Sequence, residues 1–318
     1  MSSEQYLRPL LDGMIRESPM RITGAPDGPE GDRMLLRSYM NVRDPSPIPP
    51  DLLQLQDAYL RERNAERGIN HFEDMPTVDK SLGSDIVSAD RISLWQGDTT
   101  TLDCDAIVNA ANSQMLGCFQ PCHACIDNCI HTYAGMQLRL ECNRKMTELG
   151  KVYGRDYQHP TAVPMLTDAY NLPCKKVIHV VGPIIYDQLT EHHEKMLAQC
   201  YSSVLDMCRD NNIESIAFCC ISTGVFRFPN ERRLKELVTK EIIRREGSDK
   251  KRKWIINAEV PIETISKMLG HESTIETLKY IGICLDDMDD AMLKFAQYDR
   301  KQRLTGVLRK GIQIRWPP

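Results

Sequence analysis

The chain has 318 residues, of which 42% are hydrophobic and 26% charged, and a formal net charge of −4. That balance fits a soluble globular protein of roughly two domains and argues against a broad nucleic-acid-binding face. No apolar run is long enough for a membrane span, and the opening MSSEQYLRPLLDGM lacks a basic stretch leading into an apolar core. Neither an export signal nor an anchor is therefore expected.

Up to about Leu82 the sequence reads as helices joined by proline-rich turns. DRMLLRSYMNVR carries an apolar stripe at helical spacing, and DPSPIPP is a break that neither a helix nor a central strand would tolerate. DLLQLQDAYLRERNAERG then sets Leu52, Leu53, Leu55, Tyr59 and Leu60 on one side, with Asp51 expected as N-cap and Gly68 closing the helix. No catalytic constellation is evident in this part, which is expected to be a helical cover packed on a following core.

From about Arg91 short apolar runs alternate with amphipathic helices. The runs are RISLWQG, DAIVNAA, KKVIHVVGP, SIAFCCIST and KWIINAEV. Between them lie IDNCIHTYAGMQLRLECNRKM, EKMLAQCYSSVLDMCRDNN and NERRLKELVTKEIIRRE. Strands apolar throughout and separated by helices imply an α/β sheet covered on both faces. Ligands of such sheets bind at the carboxyl ends of strands, which directs attention to the loops after DAIVNAA and SIAFCCIST.

Several residues there could carry chemistry. Asn109 and Asn112 frame two alanines at a strand end, where small residues admit a ligand and the amides can serve sugar hydroxyls; Asn as a plain turn former is the simpler alternative. Asp98, in GlnGlyAsp after the first core strand, could accept a hydrogen bond from an exocyclic amine, although turn chemistry explains it equally well. Ser222, Thr223 and Gly224 place backbone N–H groups and hydroxyls at a strand-to-helix turn, a natural cradle for a diphosphate. Phe226 could pack on a ribose or base, or simply finish the core.

Twelve cysteines without an export signal, several inside apolar runs, suggest buried thiols plus one ligand cluster in a reducing cytoplasm rather than a disulfide framework. The cluster is MLGCFQPCHACIDNCIH, where Pro121 enforces a turn that lets Cys118, His123 and Cys125 converge. Two thiolates and an imidazole suit zinc. A fourth ligand is available in principle from Cys122 or Cys129, but the separated pairs of a structural finger are missing. Three close ligands beside a sugar site favour an open, catalytic position.

In this order, LWQGD, DAIVNAANSQMLGCFQPCHACIDNCIHTYAG, TDAYNLPCKKVIHVVGP and CCISTGVFRFP resemble the zinc-containing macrodomain family of ADP-ribosyl hydrolases, over roughly residues 35–245. The resemblance implies an α/β fold: a macrodomain-like three-layer α/β/α sandwich with an N-terminal helical extension and a short helical C-terminal tail. It implies domains at 1–88 (the extension), 89–258 (the zinc-containing macrodomain, short of its last helix) and 259–318. It assigns one Zn2+ ion to Cys118, His123 and Cys125, with Cys122 at a variable position of the motif. Asp98 matches the adenine-recognising aspartate, and Asn109 and Asn112 the asparagines near the distal ribose. The segment Ser222, Thr223, Gly224, Val225, Phe226 matches the diphosphate loop, and Thr99 stands where isoleucine is usual.

The implied reaction is zinc-dependent hydrolysis of mono-ADP-ribose from protein side chains, chiefly acidic ones, in the cytoplasm. Cys118, His123 and Cys125 act in it through zinc, together with Asn112. The modification is often made by a dedicated ADP-ribosyltransferase. Arg227 departs from the family's usual glycine, which opens the alternative of an ADP-ribose-binding reader without turnover. The tail, VPIETISKMLGHESTIETLKYIGICLDDM, resembles the end of a tyrosine recombinase, with His271 and Tyr280 at its late histidine and nucleophilic tyrosine. The arginines that would clamp a phosphate are missing, so the tail is expected to be silent. A DNA-recombination or structural zinc protein is the remaining alternative.

Overall fold

The computed structural model describes residues 2–83, 88–224 and 226–228, together with the strand backbones at 253–257 and 313–315. The sheet that organises the molecule has six strands in the order β3-β9-β8-β5-β7-β6. They are β3 (Ile92–Trp95), β5 (Ala106–Ala111), β6 (Pro164–Asp168), β7 (Lys176–Val181), β8 (Ser215–Phe218) and β9 (Lys253–Asn257). All pair in parallel except β6, which runs antiparallel to β7 at the edge. The five apolar runs of the sequence supply the five parallel strands, and both faces of β5 and β7 are buried, as parallel strands require.

Alternate residues of these strands feed two cores. Val108, Ile178, Val180, Ile216 and Phe218 face α7 (Glu191–Asp210), packing on Leu197, Tyr201, Val204 and Leu205. Ile107, Val177, Val181 and Ala217 face α5 (Ile126–Ala134) and α6 (Met136–Tyr153), meeting Ile130, Ala134, Leu138 and Cys142. The expected three-layer α/β/α sandwich is therefore present. IDNCIHTYAGMQLRLECNRKM is two helices rather than one. The break is Gly135, at φ +100, where a Cβ would stand 2.6 Å from Nε2 of Gln56. No strand is expected from the sequence at 164–168. Met165 and Thr167 point inward there, and the leading Pro164 is tolerated because β6 is an edge strand.

The N-terminal helices α1 (Glu4–Glu17), α2 (Pro29–Val42) and α3 (Pro50–Arg67) share their own core of Leu10, Leu11, Leu36, Leu52 and Leu60, which reaches the sheet body through Met136. Asp51 is not the N-cap of α3. That place falls to Pro49, with Pro50 at the first helical position, where a missing N–H costs nothing. The buried stripe of α3 is Leu52, Gln56, Tyr59, Leu60 and Asn64, so two amides complete what the sequence suggests is an apolar face. Gln56 Oε1 accepts from the backbone N–H of Met136 at 2.7 Å, capping α6, and Asn64 Nδ2 donates to the carbonyl of Asn171 at 2.7 Å. Four short strands lie outside this sheet. β1 (Arg21–Thr23) pairs antiparallel with β10 (Gln313–Arg315), and β2 (Asn70–His71) pairs with β4 (Leu102–Asp103), while α4 (Val78–Leu82) precedes β3. Among the described residues no helix is long and apolar enough to cross a membrane. The expected helical character of the tail, His271, Tyr280 and the helix NERRLKELV lie outside the described residues.

Candidate functional site

Because β3, β5, β7 and β8 run parallel, the segments leaving their carboxyl ends gather on one edge of the sheet. These are the turn at Asp98, the loop 112–125, the stretch 182–186 and the loop 219–228. The last two are stitched together, since Ile185 N–H donates to the carbonyl of Phe226 at 2.9 Å.

Loop 112–125 brings Cys118, His123 and Cys125 together, with one donor atom from each lying within 4.8 Å of the others. Cys118 Sγ is 3.5 Å from His123 Nδ1. Cys125 is the N-cap of α5, its Sγ accepting from the N–H of Asn128 at 3.4 Å. The hydrogen bond from the Cys125 thiol brings Cys118 down to about 5, and Cys125 rises correspondingly. Donor type and spacing both fit a borderline-soft ion such as zinc. Cys122 turns elsewhere, at φ +51, with its Sγ 3.3 Å from Ser38 Oγ and 3.4 Å from the carbonyl of Met34 on α2. Cys129 lies 3.5 Å from Arg37. The eleven described cysteines are free thiols.

The loop is held from outside itself. Asn128, fully buried, donates from Nδ2 to the carbonyls of Cys118 (3.2 Å) and Gln120 (2.9 Å). Its Oδ1 accepts from Nε (3.2 Å) and Nη2 (2.8 Å) of Arg37, which also donates to the carbonyl of His123 at 3.0 Å. Asn41 of α2 accepts from the N–H of Cys122 at 3.0 Å. Arg139 donates to the carbonyls of Leu116 (2.7 Å), Met40 (3.0 Å) and Arg43 (2.6 Å), tying loop and extension together from below. A helical cover is therefore too modest a description of residues 1–88, because α2 is a wall of the loop.

The two asparagines in and just after β5 diverge. Asn112 is half-buried, donating to the carbonyl of Gly117 (3.1 Å) and to Asp127 Oδ2 (3.4 Å) beside the cysteine loop. Asn109 has no exposed surface. Its Nδ2 donates to Asp127 Oδ1 at 2.7 Å and faces His179 Nδ1 at 3.0 Å, while His179 Nε2 meets Thr167 Oγ1 at 2.9 Å. Asn109 thus supports Asp127 from beneath, while its own Oδ1 is buried with no hydrogen-bond partner among the described residues. Burial pushes Asp127 up to about 7 and His179 down to about 3. His131, Cys142 and His179 also offer donor atoms within 4.8 Å of one another, deep in the core. Both nitrogens of His179 are already committed to Asn109 and Thr167, whereas neither buried nitrogen of His131 has a hydrogen-bond partner among the described residues, its Nε2 lying 3.6 Å from Asp127 Oδ1.

Asp98 accepts at Oδ1 from the N–H (2.9 Å) and Oγ1 (2.6 Å) of Thr100, and at Oδ2 from Arg67 (2.5 Å). Thr99 beside it is 2% exposed, so its side chain belongs to the core. In loop 219–228, Ser222 (φ +66) and Arg227 (φ +59) occupy left-handed backbone. The Ser222 hydroxyl is buried with no hydrogen-bond partner among the described residues, against Gly182, whose added Cβ would stand 2.0 Å from it. Thr223 Oγ1 donates to the carbonyl of Cys220 at 2.9 Å, Gly224 is exposed, and Phe226 packs partly buried on the α5–α6 core. Val225 lies outside the described residues. The sequence did not single out Arg37, Arg67, Asp127, Asn128 or Arg139. The only available signal was the IleAspAsn that follows Cys125.

A family profile described as Macro domain matches residues 108–237. The chain is 48% identical over 225 residues to a protein-ADP-ribose hydrolase of Treponema medium, covering 70% of this chain and 81% of that one. It is 39% identical over 232 residues to a protein of the same description from Staphylococcus aureus, covering 72% and 81%. Among solved structures, the Trypanosoma brucei macrodomain in complex with ADP-ribose is similar at a TM-score of 0.50 and 26% identity, over 78% of this chain and 98% of that one.

Proposed function

Because the chain belongs to the macrodomain family of protein-ADP-ribose hydrolases, we propose that it removes mono-ADP-ribose from protein side chains, chiefly acidic ones, in a zinc-dependent hydrolysis. The observation that carries this reading is the convergence of Cys118, His123 and Cys125 next to Asn112 at the carboxyl end of β5. Those three residues would hold the metal, which supplies a Lewis acid at the scissile end of the ligand.

The rest of the work falls to the chain. Asp98 would accept a hydrogen bond from the exocyclic amine of adenine. The backbone N–H groups of 222–226 would cradle the diphosphate, with Ser222 itself in left-handed backbone. Asn112 would meet the distal ribose, its amide turned by Asp127, which Asn109 and His179 support from the core. Water would replace the acidic side chain at the anomeric carbon, releasing ADP-ribose and a free carboxylate. The acceptor is a modified protein, made by an ADP-ribosyltransferase, and the setting is the cytoplasm. The division at residues 88 and 258 marks the extension, the catalytic body and the tail.

The test follows release of labelled ADP-ribose from a modified acceptor protein, alongside elemental zinc analysis of the intact chain. Cys118→Ala should lose zinc and hydrolysis together; zinc that stays stoichiometric in that variant refutes the ligand assignment. One observation favours a second reading, a binder without turnover. Arg227 sits at φ +59, where its side chain constrains the diphosphate turn. Binding of ADP-ribose with no label released would select that reading.

A further inference from the structure

Asp98 does not stand alone at the end of β3. Arg67, the last residue of α3, donates through Nη2 to Asp98 Oδ2 (2.5 Å) and Thr100 Oγ1 (2.6 Å), and through Nη1 to Asn64 Oδ1 (3.0 Å). Its guanidinium carbon lies 3.4 Å from the centre of the Tyr133 ring. A planar cation held on one face by an aromatic ring and at its edges by three polar partners has little rotational freedom. Its side chain is 10% exposed, whereas that of Asp98 is 48% exposed.

The acceptor capacity of Asp98 is nearly used up. A carboxylate offers about four lone-pair sites, and Thr100 N, Thr100 Oγ1 and Arg67 Nη2 fill three of them. The free site is on Oδ2, on the oxygen that Arg67 fixes. We infer that Arg67 is a positioning residue for base selection: it locks Asp98 so that one oriented acceptor faces the ligand, which favours an exocyclic amine and rejects a carbonyl at the same place. This rests on the reading of Asp98 as the adenine contact. A purine carrying oxygen in place of the amine sets two acceptors against each other. Its neighbouring ring N–H could be satisfied only if the carboxylate swung, and Arg67 prevents that. The N-terminal extension thereby becomes part of the nucleotide site and supplies its selectivity from outside the sheet.

The experiment titrates the full chain with free ADP-ribose and with inosine diphosphate ribose, which differ only in that group and in the proton on the adjoining ring nitrogen. Wild type should prefer ADP-ribose by roughly 10- to 100-fold, the range of a charged hydrogen bond gained against an unpaired acceptor. Arg67→Met keeps the stem on Tyr133 and removes every donor; its preference should fall to within about threefold, mainly because inosine diphosphate ribose is better accepted. Arg67→Lys keeps charge and a donor and should retain part of the preference, which also covers the case of a poorly folded Met variant. An unchanged preference in Arg67→Met, or equal weakening of both ligands, overturns the proposal. Asp98→Ala separates the two levels. If it leaves the preference intact, the adenine reading of Asp98 fails. If it abolishes the preference while Arg67→Met does not, only the positioning role fails.

Discussion

Asn128→Ala should loosen the cysteine loop without touching any of the three proposed ligands. The side chain is fully buried and makes four hydrogen bonds: two from Nδ2 to the carbonyls of Cys118 and Gln120, and two at Oδ1 from Arg37. The neutral pair contributes about 1 kcal/mol per bond, and the forked contact to a guanidinium about 1.5–3 kcal/mol. Arg37 keeps its bond to the carbonyl of His123, so the lower end applies and a loss of about 3.5 kcal/mol is expected. If that energy is what keeps Cys118 and His123 facing Cys125, zinc affinity should fall by roughly two to three orders of magnitude, since about 1.4 kcal/mol is tenfold. Competition against a chelator of known affinity measures this directly, with a denaturation midpoint recorded in parallel. Affinity within threefold of wild type and an unshifted midpoint would refute the idea that Asn128 organises the loop.

Gly182→Ala should damage the turn proposed to hold the diphosphate, because the new Cβ would stand 2.0 Å from Ser222 Oγ and 2.7 Å from Ile221 Cγ2, both buried. A cost of about 1–3 kcal/mol and weaker ADP-ribose binding are expected, read by thermal denaturation and calorimetric titration. Arg227→Gly acts oppositely on stability. It relieves about 1–2 kcal/mol of left-handed backbone cost, partly offset by about 0.5–1 kcal/mol of added chain entropy, so a small rise in melting temperature is expected. Asp105 contributes to the acid limb. Burial alone would raise its pKa, but the Lys175 ammonium at 2.7 Å and the N–H groups of Glu214 and Ser215 hold it below the usual carboxylate range. A depressed folded-state pKa stabilises above the unfolded value and is lost as pH falls through and below about 4. Asp105→Asn should therefore flatten the fall in denaturation midpoint between pH 6 and pH 3; an unchanged slope counts against this pairing.

The five parallel strands were legible because a strand buried on both faces writes itself as an uninterrupted apolar run. Ile107 and Val108 point to opposite helix layers and both had to be apolar. The cysteine loop was legible for a related reason. Cys118, His123 and Cys125 are close in sequence, so their convergence needed only a turn. β6 was hidden because an edge strand buries one face only and signals itself with Met165 and Thr167 alone. The fate of Asn109 was hidden as well. Which of the two asparagines is fully buried depends on strand alternation and on Asp127 and His179, which lie 18 and 70 residues from Asn109.

Hidden most completely was the polar side of the extension. Arg37, Asn41, Gln56, Asn64 and Arg67 read locally as solvated or neutral helix positions, and each finds its partner 31 to 107 residues downstream. Their arrangement follows from a physical constraint on the site itself. A loop that must present three donors toward a ligand cannot bury those donors, so it lacks a hydrophobic core of its own. Its rigidity has to come from hydrogen bonds to backbone carbonyls supplied by a neighbour. Arg37 and Arg139 meet that need at the cysteine loop, and Arg67 does the same for the carboxylate of Asp98. Planar cations suit both places because their forked donors define an orientation as well as a distance. The helices before residue 88 are accordingly as much a part of the candidate site as the strand ends that carry its chemistry.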